Sequence, residues 1–174
     1  RYDRDSAFRA ILPHLADFKG SGGTTLVECT PAYLGRDPEL LRRLATASGL
    51  NILTNTGYYG AVAEKYYPAH AFTETADQLA ARWIKEWNDG IDDTGIRPGF
   101  MKLSADRAPL TETQQKMVHA AAITHDATGL TIAIHNGDGA AAQRELSIIE
   151  SHGVSPEAMI WVHAQNERDS TIHK

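Results

Sequence analysis

Several absences narrow the field first. The 174-residue chain has a single cysteine, Cys29, so no disulfide within the chain stabilises the fold. Its place in an apolar strand predicts a small buried thiol. No apolar stretch approaches the ~20 residues of a membrane span. A basic excess is missing as well: 17 Lys and Arg against 22 Asp and Glu give a net charge of −5. That balance lacks the electrostatic footprint of a nucleic-acid binder. The start, at Arg1, shows neither an h-region nor a cleavage site. A soluble protein of bacterial type is expected, cytoplasmic or exported. What is present is an ordinary globular composition, long enough for one sizeable core.

Five strands alternate with helices. TTLVECT (24–30), NILTNT (51–56), the run around FMKL (95–105), TIAIHNG (131–137) and AMIWVHAQN (158–166) read as strands. Helix-spaced apolar positions cover 5–18, 37–49, 73–89, 111–129 and 139–153. Pro13 weakens or bends the first of these. Asp37 at the N-cap, Pro38 after it and Gly49 at the end bound the second. For the third, Thr73 followed by Ala76 lacks a full capping box. Strands recur about every 30 residues, the length of a βα unit. This alternation predicts a parallel sheet with crossover helices. An open nucleotide-binding sheet would carry a glycine fingerprint after its first strand. ECTPAYLGRD has none, which favours a (β/α)8 TIM-type barrel in the α/β class.

Three strands end in residues that bind metals or move protons: Lys102, His135 and His163. Their separations, 33 and 28 residues, match consecutive βα units. In a barrel such positions converge at the C-terminal face, where active sites lie. Taken singly, each has a bland explanation, a hydrogen-bonded structural histidine or an edge lysine. A buried lysine has a depressed pKa and a nucleophilic amine. It can form a Schiff base with a carbonyl substrate, or capture carbon dioxide as an anionic carbamate able to bridge two cations. Neutral imidazoles are common ligands of zinc and its neighbours. His14, His119, His125 and His152 lie on helices and predict solvent or structural roles. Asp106 and Arg107, after the lysine strand, read as a surface loop, with substrate contact as the alternative, and Trp83 and Trp87 as packing on one helix face.

ECTPAYLGRDPELLRRLATASGLNILTNTGYYGA, TGIRPGFMKL, HAAAITHDATGLTIAIHNG and GVSPEAMIWVHAQNE together resemble the phosphotriesterase-related proteins of the amidohydrolase superfamily. The resemblance runs almost end to end. It implies one partial metal-dependent hydrolase barrel domain over 1–174, supplying about five of eight strands, with both ends incomplete. It also implies two divalent ions, zinc first, with manganese or cobalt as alternatives, and CO2 for lysine carbamylation. Lys102 then stands for the carbamylated bridging lysine, and His135 and His163 for ligands of the second metal. The residue at the place of Tyr59 lines the substrate pocket in the family; Tyr58 beside it is the alternative. The implied reaction is ester hydrolysis, on a lactone, another carboxylic ester or a phosphotriester, by a hydroxide bridging two metals.

The family's strand-one His-X-His pair and strand-eight aspartate have no counterpart in this sequence. HAQN also departs from the usual residues after the last histidine, so proton-steering partners and substrate are expected to differ. A homodimer is one option for assembly. Two rivals remain open: a Schiff-base aldolase using Lys102, and a non-catalytic binding barrel that has lost its metals.

Overall fold

The computed structural model describes residues 2–173. The opening helix, α1 (Arg4–Gly20), starts where the Asp3 side chain accepts from the amides of Asp5 and Ser6. It runs through Pro13, which lies on its exposed side. The carbonyl four residues back, at the exposed Arg9, is therefore within reach of water. Helix α2 (Pro38–Ser48) follows the predicted punctuation, with Asp37 capping Leu40 and Gly49 left-handed at φ 67°. Leu15 of α1 meets Leu40, Leu44 and Leu50 in a small core of its own.

Every strand pairing is parallel. β1 (Thr25–Val27) pairs with β2 (Asn51–Leu53), and β3 (Asn55–Thr56) opens a sheet continued by β4 (Phe100–Ser104), β5 (Ile132–His135) and β6 (Met159–Val162). The segment 51–56 was expected as one strand and is two. Its pairing changes sides at Thr54: the Leu53 carbonyl accepts from Glu28 on one flank, the Thr54 carbonyl from Gly99 on the other. Strand twist makes such a handover natural in a closing sheet.

Helices α4 (Ala76–Asp89), α5 (Glu112–Thr128) and α6 (Gly139–Ser151) cover one face. Met101, Leu103, Ile132 and Ile134 point into that layer and join Leu79, Trp83, Met117, Ile148 and Ile149 in the main core. Side chains alternate along a strand, so Lys102, Ser104, Ala133 and His135 face the other way, toward the barrel interior. The (β/α)8 class predicted from sequence holds, and the chain forms part of such a barrel.

Two local expectations are corrected. The helix expected at 73–89 begins at Ala76, where Thr75 and Gln78 form a complete capping box; Thr73 closes a separate short helix, α3 (Ala69–Thr73). Cys29 is exposed, not buried. It lies past the last paired residue of β1, a strand with a neighbour on one side among the described residues.

Candidate functional site

Lys102 sits at the centre of β4, all five residues of which are buried; the lysine itself is 3% exposed. Its Nζ donates to the Leu103 carbonyl at 2.7 Å and lies 5.9 Å from the centre of the Tyr59 ring. Burial brings its pKa down to about 8, against smaller opposing effects of Cys29 and Glu145. Removing a charge from water is what shifts it, and the nearby Glu145 offsets that only in part.

His135 ends β5, paired in register with Ser104 of β4 and Val162 of β6. His163 follows β6 directly, in a left-handed conformation at φ 75° that turns the chain out of the strand. The two imidazoles meet edge to face with ring centres 4.5 Å apart. Burial holds the His135 pKa below the usual histidine range, aided by Lys102 and His163. The ring is thus neutral near pH 7, the form that donates a lone pair to a cation.

Tyr59 joins this cluster. Its hydroxyl is 3.4 Å from Nε2 of His135, and its backbone bridges to Ser104. Burial raises its pKa, so it stays a phenol. Tyr58 is turned the other way. It is buried against Trp83 with ring centres 5.4 Å apart, and its hydroxyl is 2.9 Å from Nε2 of His70. Period-two alternation separates the neighbours: one faces the interior, the other the helix layer. Gly57 makes this approach possible. A Cβ there would come within 2.4 Å of the Lys102 carbonyl, and its φ is 116°.

Supporting residues were not evident from sequence. Arg36 is nearly inaccessible, yet its guanidinium forms two bonds to Glu86 (2.8 and 2.6 Å) and one to the Asn55 carbonyl (2.8 Å). It ties the β1–α2 loop to α4 and β3. Asp106 does more than occupy a surface loop: its carboxylate accepts from the amides of Val62 and Ala63 and from Gln114. That clip holds residues 62–64, all left-handed, over the strand ends. Of the histidines expected in solvent or structural roles, His14 is exposed on α1, His119 bonds His152, the residue after α6, at 2.8 Å, and His125 bonds the Leu130 carbonyl. Trp83 is core, and Trp87 packs against it. Among the described residues, no three His, Cys, Asp or Glu side chains converge; the cluster offers two imidazoles, an amine and a phenol.

The chain belongs to the phosphotriesterase family, whose model matches residues 1–172. It is 27% identical over 145 residues to the phosphotriesterase homology protein of Escherichia coli, covering 83% of this chain and 49% of that one. It is 32% identical over 163 residues to the N-acetyltaurine hydrolase of Dictyostelium discoideum, covering 93% and 42%. With the aryldialkylphosphatase of Saccharolobus solfataricus it shares 29% over 166 residues, 93% and 51% of the two chains. Among solved structures, a variant of organophosphorus hydrolase from Deinococcus radiodurans superposes with a TM-score of 0.88 at 29% identity, over 99% of this chain and 53% of that one. The chain spans about half the length of the curated relatives it matches. No helix among the described residues is long and apolar enough to cross a membrane.

Proposed function

We propose that the protein is a metal-dependent hydrolase that cleaves an ester, a lactone or another carboxylic ester, with phosphotriester cleavage as a side activity. The observation that carries this reading is the buried Lys102 amine, bonded to a neutral carbonyl and not to a carboxylate, on the sheet face shared with His135. With a pKa of about 8, roughly a tenth of the amine is uncharged at pH 7. The neutral nitrogen attacks the carbon of CO2, a C–N bond forms, and an N–H proton leaves to water. One C=O π pair of CO2 moves onto oxygen, so the product is a carbamate with a single negative charge shared by its two oxygens.

Lys102 as carbamate, His135 and His163 would hold divalent cations (zinc, or manganese or cobalt): an anionic carbamate and two imidazoles suit such ions, and a second ion would need ligands beyond these three residues. Bound there, the ions would lower the pKa of a water and polarise the ester carbonyl. The chain's own part is positioning. His135 stays neutral through burial. The Tyr59 phenol borders the same space and would orient the substrate carbonyl by hydrogen bonding. Two relatives named for different substrates, an aryldialkylphosphatase and an N-acetyltaurine hydrolase, support the general hydrolytic class over any one substrate.

Chelation followed by repletion tests this. Activity on lactones and aryl esters is expected to vanish when metals are stripped, and to return with zinc, manganese or cobalt plus bicarbonate. Fewer than one bound ion per chain under those conditions would favour a non-catalytic barrel. Borohydride trapping of Lys102 with a carbonyl substrate would replace the hydrolase with Schiff-base chemistry.

A further inference from the structure

Glu145 occupies a position where the fold calls for an apolar side chain. It lies on the buried face of α6 with Ala141, Ala142, Ile148 and Ile149, and is 0% exposed. Its Oε2 accepts from Nδ2 of Asn136 at 2.6 Å, while Oε1 has no hydrogen-bond partner among the described residues. A buried carboxyl in such a place is costly, so what it holds is the question.

Asn136 is the residue after His135, itself 2% exposed. By strand alternation His135 faces the interior and Asn136 the helix layer. Each polar group of Asn136 is used. Its amide donates to the Val162 carbonyl (3.3 Å), and its carbonyl accepts from Nε1 of Trp161 (2.9 Å). Its Oδ1 accepts from the Asp138 amide (3.2 Å), and Nδ2 goes to Glu145. Val162 and Trp161 are the two residues before His163. One asparagine therefore knots together the strand ends that carry both imidazoles, and Glu145 fixes that asparagine from behind.

We propose that Glu145 is a positioning residue: through Asn136 it sets the separation of His135 and His163, and so the affinity of the cation they share. This rests on the metal-dependent reading above. Groups hydrogen-bonded to metal ligands change affinity by ~10–100-fold when lost; Asn136 acts on the backbone that carries the two rings, which places its effect at the low end.

The test is Zn2+ titration, by chelator competition in bicarbonate, of the wild type, Glu145→Gln and Glu145→Met. Gln keeps an acceptor for Asn136; Met keeps the volume without one. Gln is expected to bind both ions within about threefold of wild type, and Met to weaken one ion about tenfold, the low end for groups that touch a ligand, with the other unchanged. A role in packing alone predicts that Met is tolerated at least as well as Gln, and a folded Met variant with wild-type affinity for both ions would overturn the proposal. If the Met variant fails to fold, Asn136→Ala carries the test: it should weaken the same ion by a similar factor, and unaltered binding overturns the proposal equally. Wild type that binds no metal at all would instead remove the hydrolase reading, a result distinct from either.

Discussion

The Arg36–Glu86 pair allows a magnitude to be worked from the structure. The Arg36 side chain is 3% exposed and that of Glu86 is 23% exposed. Changing Glu86 to Leu removes two of the three hydrogen bonds to the guanidinium and leaves its charge facing the Asn55 carbonyl alone. Breaking a buried pair by deleting one partner costs about 3–5 kcal/mol. The partial exposure of Glu86 places this case near the lower end, at ~3 kcal/mol. For a domain of this size that lowers Tm by about 6–12 °C. Arg36→Leu should cost less, because Glu86 can turn to water. The double variant should be no less stable than Glu86→Leu, giving a coupling at least as large as the cost of Arg36→Leu alone. Urea denaturation of the four proteins at pH 7 measures this. Additive effects, or a loss below ~1 kcal/mol for Glu86→Leu, would refute the assignment of a buried, mutually dependent pair.

Other outcomes follow from the same side chains. Burial pushes the Glu145 acid from its ordinary 4.5 up to about 8, opposed by Asn136 and Lys102 and reinforced slightly by Asp138. The folded form therefore holds a proton that the unfolded form has released, and stability falls as pH rises from about 4.5 to about 8 by at most ~1.4 kcal/mol per pH unit. Glu145→Gln should flatten that part of the profile, and parallel denaturation curves for the two proteins would count against the buried acid. Tyr59→Phe should keep both metals and most of the stability while lowering kcat/KM about tenfold; unchanged kinetics would remove the hydroxyl from substrate handling. Tyr58→Phe should do the reverse. It would cost about 1 kcal/mol through the lost bond to His70 and leave kcat/KM alone, as thermal melts and ester assays would show.

Much of the arrangement was readable in the chain because the relevant signals are periodic. Strands of β-branched and apolar residues at βα spacing gave the parallel order, and that order placed His135 at its strand end; Lys102, expected at a strand end, lies mid-strand in β4, and His163 lies just past β6. Glu145 was not readable. It follows Arg144 and reads as a solvent-facing charge, and only the packed α6 shows it under Asn136. Arg36 and Asp106 escaped for a related reason: their partners lie 50 and 44 residues away, and loop charges carry no periodicity. Tyr58 and Tyr59 could not be told apart until the Ser104 bridge fixed which face each takes. The break at Thr54 reflects a change of pairing partner, which sequence pattern within one strand does not encode. Cys29 misled because apolar neighbours suggested burial, whereas the pairing of β1 stops at Val27.

The central claim is that the Lys102 amine becomes an anionic clasp for two cations. The direct measurement is carbon-13 NMR of protein reconstituted with zinc and 13C-bicarbonate, compared with Lys102→Ala. A carbamate resonance that appears with two bound ions per chain, and disappears together with tight metal binding in the variant, is the predicted result. Equal metal content in the two proteins, with no carbamate signal in either, would contradict it.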